Sequence, residues 1–340
     1  MFHGPARRTP VVGAYGPEMT SEFSAESTTD DVLDGVDLAG RRFVITGTSA
    51  GLGEEATRAI AAAGGSVVML ARNPDANQEA AQRVRSLVPD AQISLGELDL
   101  ADLTSVRACA QRLLDDGDPI DVLINNAGVM ACPEGRTTDG FEMQFGTNHL
   151  GHFELTRRLM PAILAGSAPR IVCLTSSAHD ISNVDLDDPN FERTPYDAWV
   201  SYGRSKSANA LHALALAQRH PSDEVFVASV HPGAIMTSLG RHLDDDLMAQ
   251  AIERSKQRAA AHPEATTGRT FKTVEQGAAT EVWAATAPDI ADLHGGYLAD
   301  CGPGVEGGNP GQNGFRSYIA DVGTADRLWA LSERLVGTVG

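Results

Sequence analysis

The stretch that decides the fold is Thr46-Gly47-Thr48-Ser49-Ala50-Gly51-Leu52-Gly53. It follows the apolar run 43–45 and opens the alanine-rich segment 54–63, so it predicts a strand, a tight turn and a helix. Such a turn presents backbone N–H groups and the positive end of a helix dipole to an anion, and glycines leave room for close approach. The turn therefore predicts a phosphate site, although glycine turns also join strands to helices for structural reasons alone. The predicted contact residues are Gly47, Ser49, Gly51, Leu52 and Gly53.

The segments around this turn alternate between strand-like and helix-like patterns. A second apolar run, 66–71, ends about 25 residues after Gly47, which is the spacing of a dinucleotide-binding βαβ unit. Apolar strands separated by helices predict a parallel sheet with helices on both faces, so we expect a single doubly wound, Rossmann-type α/β domain. Strands are predicted at 42–46, 66–71, 92–95 and 120–124, and helices at 51–63, 76–87 and 102–116.

The composition fits one large domain and argues against several classes of partner. The 340 residues are 42% hydrophobic and carry a net charge of −18, whereas nucleic acids and anionic membranes bind basic surfaces. No apolar run reaches the length of about 18 residues that a membrane span needs. The four cysteines are far apart in the sequence, which is typical of reduced thiols. We expect a cytoplasmic protein without nucleic-acid partners, and self-association is left open.

The first 37 residues differ in composition from the rest of the chain. Positions 18–37 contain seven acidic residues and no Lys, Arg or His. A segment of this kind buries too little apolar surface to fold by itself. We therefore predict a mostly disordered acidic extension over 1–37, of which the aliphatic stretch 32–38 lies against the domain, and a Rossmann-type domain over 38–340.

Polar residues follow two further strands at the predicted carboxyl edge of the sheet, where open α/β sheets bind ligands. Asp99 and Leu100 come after the third strand, and the Asp99 carboxylate is placed either to contact an adenine ring or to cap the next helix. Asn125-Asn126-Ala127-Gly128 follows the fourth strand. Its asparagines can hold strand ends together and its glycine leaves a gap beside a flat ring, although a plain turn explains the same residues.

Two groups of side chains resemble metal ligands. A long helix predicted over 139–165 contains Asn148, followed by His149 and His152 at a separation of three residues. That segment lacks the Glu of an H-E-x-x-H pair and a third ligand, so packing or surface positions are favoured. The acidic run 244–246 is interpreted as a solvated helix start, because consecutive helical side chains diverge. We predict no metal site.

Hydroxyl and amine groups come together in two more segments. Ser176 and Ser177 end the predicted strand 170–175. Tyr202 and Lys206 are four residues apart at the opening of a predicted apolar helix, so their Cβ atoms lie about 5–6 Å apart on one face. The ammonium is expected to favour the phenolate and to lower the pKa of Tyr202, which would make the tyrosine a better base near neutral pH.

With these motifs in place, residues 38 to about 300 resemble the short-chain dehydrogenase/reductase family. The glycine turn is similar to the family's cofactor turn, and the segment 125–128 to its structural motif. The segment 231–237 is similar to the Pro-Gly segment that touches the nicotinamide. Asn148-His149-Leu150-Gly151-His152-Phe153 and the segment 176–179 look most like the retinol-dehydrogenase-like branch, which includes the WW-domain oxidoreductase.

The resemblance implies a Rossmann fold, hydride transfer between a nicotinamide cofactor and a carbonyl or alcohol group, and a catalytic tetrad. Tyr202 would exchange a proton with the substrate oxygen, and Lys206 would lower the pKa of Tyr202 and hold the nicotinamide ribose. Ser177 would hydrogen-bond the substrate oxygen; it is chosen over Ser176 because the family's serine is the second of such a pair. Asn148 would position a water of the proton relay. Serine and tyrosine would together stabilise charge that develops during transfer.

The same resemblance implies the remaining cofactor contacts and the substrate side. Residues 238–275 would form a helical flap over a small apolar ketone, aldehyde or alcohol. A last strand is expected at 295–298, a loop over 302–314 and a closing helix over 326–336 with Trp329 inward. Implied cofactor contacts are Gly47, Ser49, Gly51, Leu52, Gly53, Arg72, Asp99, Leu100, Asn126, Ala127, Gly128, Tyr202, Lys206, Pro232, Gly233 and Thr237.

The end of the second strand indicates which dinucleotide is bound. Enzymes that prefer NAD place a carboxylate there for the ribose 2′-hydroxyl, whereas this chain has Ala71-Arg72-Asn73 and no acid before Asp75. A guanidinium can bind a 2′-phosphate, so we predict NADP, with NAD and an ordinary surface arginine as the alternative. Two other functions compete with an enzyme: a non-catalytic dinucleotide-binding regulator of the same fold, and a scaffold that acts through the acidic tail.

Overall fold

Residues 21–261 and 271–337 are described by a computed structural model. The sheet contains β1 (Arg42–Thr46), β2 (Ser66–Ala71), β3 (Ile93–Glu97), β4 (Val122–Asn125), β5 (Arg170–Leu174), β6 (Phe226–His231), β7 (Tyr297–Ala299) and β8 (Gly302–Pro303). The helices are α1 (Thr29–Leu33), α2 (Leu52–Ala62), α3 (Pro74–Leu87), α4 (Leu103–Asp115), α5 (Met143–Phe145), α6 (Gly151–Leu164), α7 (Ala198–Arg219), α8 (Asp245–Ala261), α9 (Val274–Thr286) and α10 (Val322–Val336).

The strands form one mainly parallel sheet in the order β3-β2-β1-β4-β5-β6-β7-β8. Strands β1 to β7 pair in parallel, and the short β8 is antiparallel to β7. The strand order reverses between β1 and β4, which opens a crevice at the carboxyl edge where such sheets bind ligands. The predicted doubly wound α/β fold is therefore confirmed.

Two hydrophobic cores cover the two faces of this sheet, because successive strand residues point in opposite directions. In β1, Phe43 and Ile45 belong to the core with α2 and α9, whereas Val44 belongs to the core with α4, α6 and α7. This continuous burial explains why the strands have uninterrupted apolar sequences. None of the helices in the described ranges has the length and apolar character that a membrane span requires.

Several predicted boundaries differ from the structure. The single helix predicted over 139–165 is divided: α5 begins after Glu142, whose carboxylate accepts the N–H groups of Gln144 and Phe145, and a π-helical turn over 146–150 precedes α6. The helix predicted from Tyr202 begins one turn earlier, because Asp197 caps Val200. The loop predicted over 302–314 contains β8 and β9 (Val305–Glu306), and β9 pairs with β10 (Gly314–Phe315).

Of the extension predicted over 1–37, residues 1–20 lie outside the described ranges. The expected packing of 32–38 against the domain is observed, whereas α1 adds order before residue 32 that was not predicted. Val32 and Leu33 of α1 are buried in the core, so no structural break occurs at residue 38. The buried Thr29 hydroxyl donates to the Glu55 carboxylate, and Arg58 contacts Asp30 at 2.7 Å. Residues 28–37 are ordered because α1 packs against α2 and α9, which composition alone does not reveal.

Candidate active site

One large cavity lies at the carboxyl edge of the sheet, between the strand ends and the segment around α8. Its volume is about 520 Å³. The cavity brings together the ends of strands β1, β2, β4, β5 and β6, which are far apart in the sequence. It is lined by all the predicted site residues except Gly53 and Asn148.

The glycine turn leaves backbone exposed where a side chain would not fit. Gly47 has φ +74°, and a Cβ there would lie 2.8 Å from the Ala127 Cα. Gly51, with φ +66°, is the first residue before α2, so the helix N-terminus points at the cavity. Gly53 acts differently from the prediction: a Cβ on it would meet the Gly47 carbonyl at 2.6 Å, so this glycine lets α2 pack against the turn.

The Asn125–Gly128 motif joins strand ends, and is more than a plain turn. Asn126 donates from its side chain to the Thr46 carbonyl at 2.7 Å. The backbone N–H groups of Asn126 and Ala127 both donate to the Thr46 hydroxyl oxygen, at 3.0 and 2.9 Å. Gly128 lies close to two tetrad members, because a Cβ there would stand 3.1 Å from Asn148 Oδ1 and 3.6 Å from Lys206 Nζ.

His152 connects this motif to the π-helical turn, a role that the sequence analysis did not predict. Its Nδ1 lies 2.9 Å from the Asn148 carbonyl, and its Nε2 lies 2.9 Å from the Thr46 hydroxyl. A carbonyl only accepts, so Nδ1 carries the proton and Nε2 accepts the proton of Thr46. Burial lowers the pKa of His152 to about 4, which keeps this neutral form. All hydrogen-bonding capacity of the Thr46 hydroxyl is thereby used.

Asn148 does not reach the cavity with its side chain. Its amide oxygen accepts the Val129 N–H at 2.8 Å, and its amide nitrogen donates to the Val129 carbonyl and the Ser205 hydroxyl, both at 2.9 Å. Ser205 precedes Lys206 in α7, and the catalytic role of Asn148 stays a prediction. Its visible role, however, is to hold the segment after β4 against α7.

Tyr202 lines the cavity at the end of β5, together with both candidate serines. Burial raises the pKa of the Tyr202 phenol to about 12, and a hydrogen bond with Ser176 offsets part of that rise. The Ser176 hydroxyl also accepts the Ala178 N–H at 3.1 Å. The sequence analysis chose Ser177 over Ser176, whereas in the structure Ser176 hydrogen-bonds the phenol. The catalytic role of Ser177 stays a prediction.

Lys206 does not act on Tyr202 as the sequence predicted. Its ammonium stands 5.8 Å from the centre of the Tyr202 ring and donates to the Leu174 carbonyl at 3.1 Å. Burial lowers the pKa of Lys206 to about 8. The expected lowering of the Tyr202 pKa is therefore wrong for this structure, because burial raises that pKa and the opposing contribution comes from the hydrogen bond with Ser176.

Arg72 and Asp99 lie at the other end of the cavity, beyond the glycine turn. Arg72 is exposed after β2, and within the described chain it has no ion pair or hydrogen bond. Asp99 accepts the Ala101 N–H at 2.9 Å, whereas Asp102 caps α4. Of the two roles proposed for Asp99, capping of the helix is thus excluded.

The Pro-Gly segment after β6 crosses the glycine turn, since Thr237 Cγ2 lies 3.4 Å from the position of a Cβ on Gly51. Gly233 has φ +95° and packs on the Lys272 side chain, which a Cβ would approach to 2.8 Å. Lys272 pairs with Asp300 at 2.7 Å. Sequence analysis missed Lys272, because nothing nearby in the chain indicates its contact with Gly233.

On the substrate side of the cavity, the wall is largely apolar. The sequence analysis did not name the residues that form it. Trp199 of α7 anchors this wall by donating from Nε1 to the Leu247 carbonyl at 3.2 Å. Its contributors are Met130, Ile181, Trp199, Leu239, Leu243, Met248, Ala251, Arg254 and Phe271.

The residues considered as metal ligands have other contacts. His149 is buried, with Nε2 2.8 Å from the Ser332 hydroxyl. Asp244 caps the N–H of Leu247 at 2.8 Å, and the next two acids lie in the first turn of α8. In residues 21–261 and 271–337, no cluster of three or more His, Cys, Asp or Glu side chains is arranged to hold a metal.

Comparison with known proteins gives a consistent result. The sequence profile of the short chain dehydrogenase family matches residues 41–247. The chain belongs to this family. It is similar to mouse retinol dehydrogenase 14, at 36% identity over 88% of this chain and 87% of the relative. It is also similar to the short-chain dehydrogenase TIC 32 A, chloroplastic, of Brassica napus, at 34% identity over 93% of this chain and 95% of that protein.

Among solved structures, an uncharacterized protein from Mycobacterium paratuberculosis superposes with a TM-score of 0.68 at 32% identity, over 92% of this chain and 97% of that one. The predicted resemblance to the retinol-dehydrogenase-like branch of the short-chain dehydrogenases is confirmed. The protein is thus a short-chain dehydrogenase/reductase, an NAD(P)-dependent oxidoreductase that acts on alcohol or carbonyl groups.

Proposed function

We propose that this short-chain dehydrogenase interconverts a small apolar ketone or aldehyde and its alcohol with NADP, and that Tyr202 is the general acid and base. The observation that carries the proposal is the shared cavity: Tyr202, Lys206 and the two serines line the same space as the glycine turn and Arg72. A proton donor and a dinucleotide cradle are therefore adjacent, as hydride transfer to a carbonyl requires.

The residues present fit a dinucleotide. A Cβ at Gly47 would fill space beside Ala127, and Gly51 brings backbone and the N-terminus of α2 to the cavity surface. Exposed N–H groups at a helix N-terminus bind a pyrophosphate. At the end of β2, Arg72 has no ion pair with any residue of 21–261 or 271–337, and Asp75 is the first acid after it, so a 2′-phosphate is favoured over a 2′-hydroxyl.

Proton transfer follows from the state of Tyr202. The nicotinamide, when bound, supplies or accepts the hydride. With a pKa of about 12, the phenol is protonated at neutral pH and can donate its proton to a substrate oxygen as negative charge develops there. A hydroxyl from Ser177 or Ser176 would donate a second hydrogen bond to the same oxygen. Lys206 holds a positive charge below its pKa of about 8 and would orient the cofactor ribose.

The flap over 238–275 completes this proposal, since its described residues form the apolar wall that would receive the substrate. For location, we propose the reducing environment of the cytoplasm, because all four cysteines are free and buried. A non-catalytic regulator of the same fold is the alternative function, and it predicts dinucleotide binding without turnover.

The decisive experiment is Tyr202→Phe, assayed with a panel of apolar aldehydes, ketones and secondary alcohols. We expect turnover to fall by about 10²–10⁴-fold, because the proton donor is lost, while NADPH affinity stays within about threefold. Ser177→Ala and Ser176→Ala, measured beside it, identify which hydroxyl contacts the substrate oxygen. Full activity of Tyr202→Phe would contradict the catalytic assignment, and wild-type protein that binds NADPH but turns over nothing would support the regulator.

Cofactor preference is tested by titrating the protein with NADPH and NADH, followed by Arg72→Ala. We expect NADPH to bind more tightly, and the substitution to weaken NADPH by about 10-fold or more, the range of one charge-assisted hydrogen bond, with NADH unaffected. Tighter NADH binding by the parent protein would reverse the assignment.

A further inference from the structure

The charges that line the cavity have a sign opposite to that of the whole protein. Among its described lining residues there are four cations and one carboxylate, Asp99, in a chain of net charge −18. A cleft with one sign of charge and apolar walls concentrates ligands of the other sign. The cations are Arg72, Lys206, Arg241 and Arg254.

Only two of these cations belong to the proposed function. Arg72 and Lys206 are placed for the cofactor and for proton transfer, whereas Arg241 and Arg254 lie in the flap, on the substrate side. Arg241 is exposed, and its positive charge acts to lower the pKa of Cys132 and of His242. The proposed function therefore gives Arg254 no role in binding the cofactor.

Arg254 ends an apolar stripe on α8. Met248, Ala251 and Arg254 all line the cavity and follow one another at intervals of three residues, so they share one helix face. Along α8, the cavity wall is apolar at Met248 and Ala251 and carries a guanidinium one turn later, at Arg254. A substrate that runs along this stripe meets a cation at its end.

The Arg254 side chain is half-buried and makes no hydrogen bond or ion pair in the part of the chain that the structure describes. Two other half-buried arginines form ion pairs, Arg58 with Glu55 and Arg204 with Asp185. A guanidinium has five donors and gains most from a planar carboxylate. An unpaired guanidinium on a cavity wall is a binding group for an anion.

We propose that the substrate is an apolar aldehyde, ketone or alcohol that carries a carboxylate at the end remote from the reacting carbon, and that Arg254 binds this carboxylate. One unpaired guanidinium balances one charge, which favours a carboxylate over a phosphate dianion. The proposal rests on the proposed function, because it requires Tyr202 to mark the reacting end. It narrows the substrate class from any apolar carbonyl compound to an amphipathic one.

The test compares azelaic semialdehyde, its methyl ester and nonanal as substrates in the presence of NADPH. We expect kcat/KM to be about 10- to 100-fold higher for the free acid than for the ester, the range of one charged hydrogen bond. Arg254→Met, which keeps an apolar stem, should remove this preference by raising KM for the free acid, and Arg254→Lys should restore part of it. Lys256→Met is the matched control, because it removes a cation from the exposed face of the same helix, outside the cavity.

Two results would overturn the inference: equal kcat/KM for acid and ester in the wild type, or an Arg254→Met variant that loses NADPH affinity instead of the acid preference. A binding experiment separates this failure from failure of the proposed function. Nonanoate and nonanol are titrated into the NADP complex while the intrinsic tryptophan fluorescence, to which the cavity residue Trp199 contributes, is followed. Arg254-dependent binding of nonanoate without turnover would refute the reaction and retain the carboxylate site; binding of nonanoate that is the same in Arg254→Met would refute the site.

Discussion

The two walls of the cavity are built in different ways. On the sheet-edge wall, Thr46, Asn126 and Asn148 are each fixed by two or more buried or half-buried hydrogen bonds. On the flap wall, contacts are mainly apolar, and Met236 and Met248 are 69% and 39% exposed. Directional bonds define one geometry, whereas apolar contacts permit repacking.

This difference indicates that the two walls have different functions in the reaction. The sheet-edge wall must hold the same cofactor and the same reacting atoms in every turnover, so its geometry is over-determined. The flap wall has to accommodate the variable part of the substrate. Substitutions on the first wall should therefore affect all substrates and cofactor binding, and those on the second should change substrate choice.

The largest effect is expected from Gly47→Ala. A Cβ would lie 2.8 Å from Ala127 Cα in a turn where φ is +74°, so the turn must move away from the dinucleotide. We expect NADPH affinity to fall by about 100-fold, equivalent to roughly 3 kcal/mol. Gly117→Ala is the control, because Gly117 has φ +75° with no atom within 4 Å and so tests backbone strain without the clash. Equal NADPH affinity in the two variants, measured by titration, would show that the close approach at Gly47 is unimportant.

The next effect concerns the link between Thr46 and His152. Thr46→Val keeps the shape and leaves the N–H groups of Asn126 and Ala127 without their acceptor, so we expect a loss of about 1–3 kcal/mol in unfolding free energy and weaker NADPH binding. Thr46→Ser should retain most of both. The measurements are denaturant unfolding and NADPH titration.

A substitution on the flap wall serves as the comparison for Thr46→Val. Met248→Ala should leave NADPH affinity and unfolding free energy within about 0.5 kcal/mol of the parent, because the side chain is partly exposed. A stability loss as large as that of Thr46→Val would show that the two walls are equally fixed.

A separate effect is a dependence of stability on pH through Glu281 of α9. Its two carboxylate oxygens have no hydrogen-bond partner in the described structure, and burial raises its pKa to about 8. In the unfolded chain this carboxyl loses its proton near pH 4.5, so between about pH 4.5 and 8 the folded state binds an extra proton and loses stability as pH rises.

Glu281→Gln removes that dependence. We expect its melting temperature to exceed that of the parent by more at pH 8 than at pH 5. Glu79→Gln on the exposed face of α3 is the control and should show no such trend. A difference between parent and Glu281→Gln that is constant with pH would mean that the buried carboxyl is ionised in the folded protein.

Some features could be predicted because they depend on neighbours in the sequence. The glycine turn between β1 and α2 needs only local backbone freedom, and the placement of Tyr202 and Lys206 on one face of α7 needs only the period of one helix. The Rossmann-type fold follows from the alternation of buried strands and helices. The end of β2 likewise follows from its sequence, which places Arg72 at the cavity.

Other features were decided by contacts between distant residues. Thr46 and His152 are 106 positions apart, and their hydrogen bond follows only from the way α6 packs against β1. The contact of Ser176 with the phenol, the high pKa of Tyr202 and the order of α1 also depend on which groups are buried together. Local spacing determines which side chains share a face, whereas burial and partners determine what those side chains do. The sequence alone therefore specified the fold and the set of chemical groups, and tertiary packing decided their hydrogen bonds, their protonation and the charged end of the flap wall.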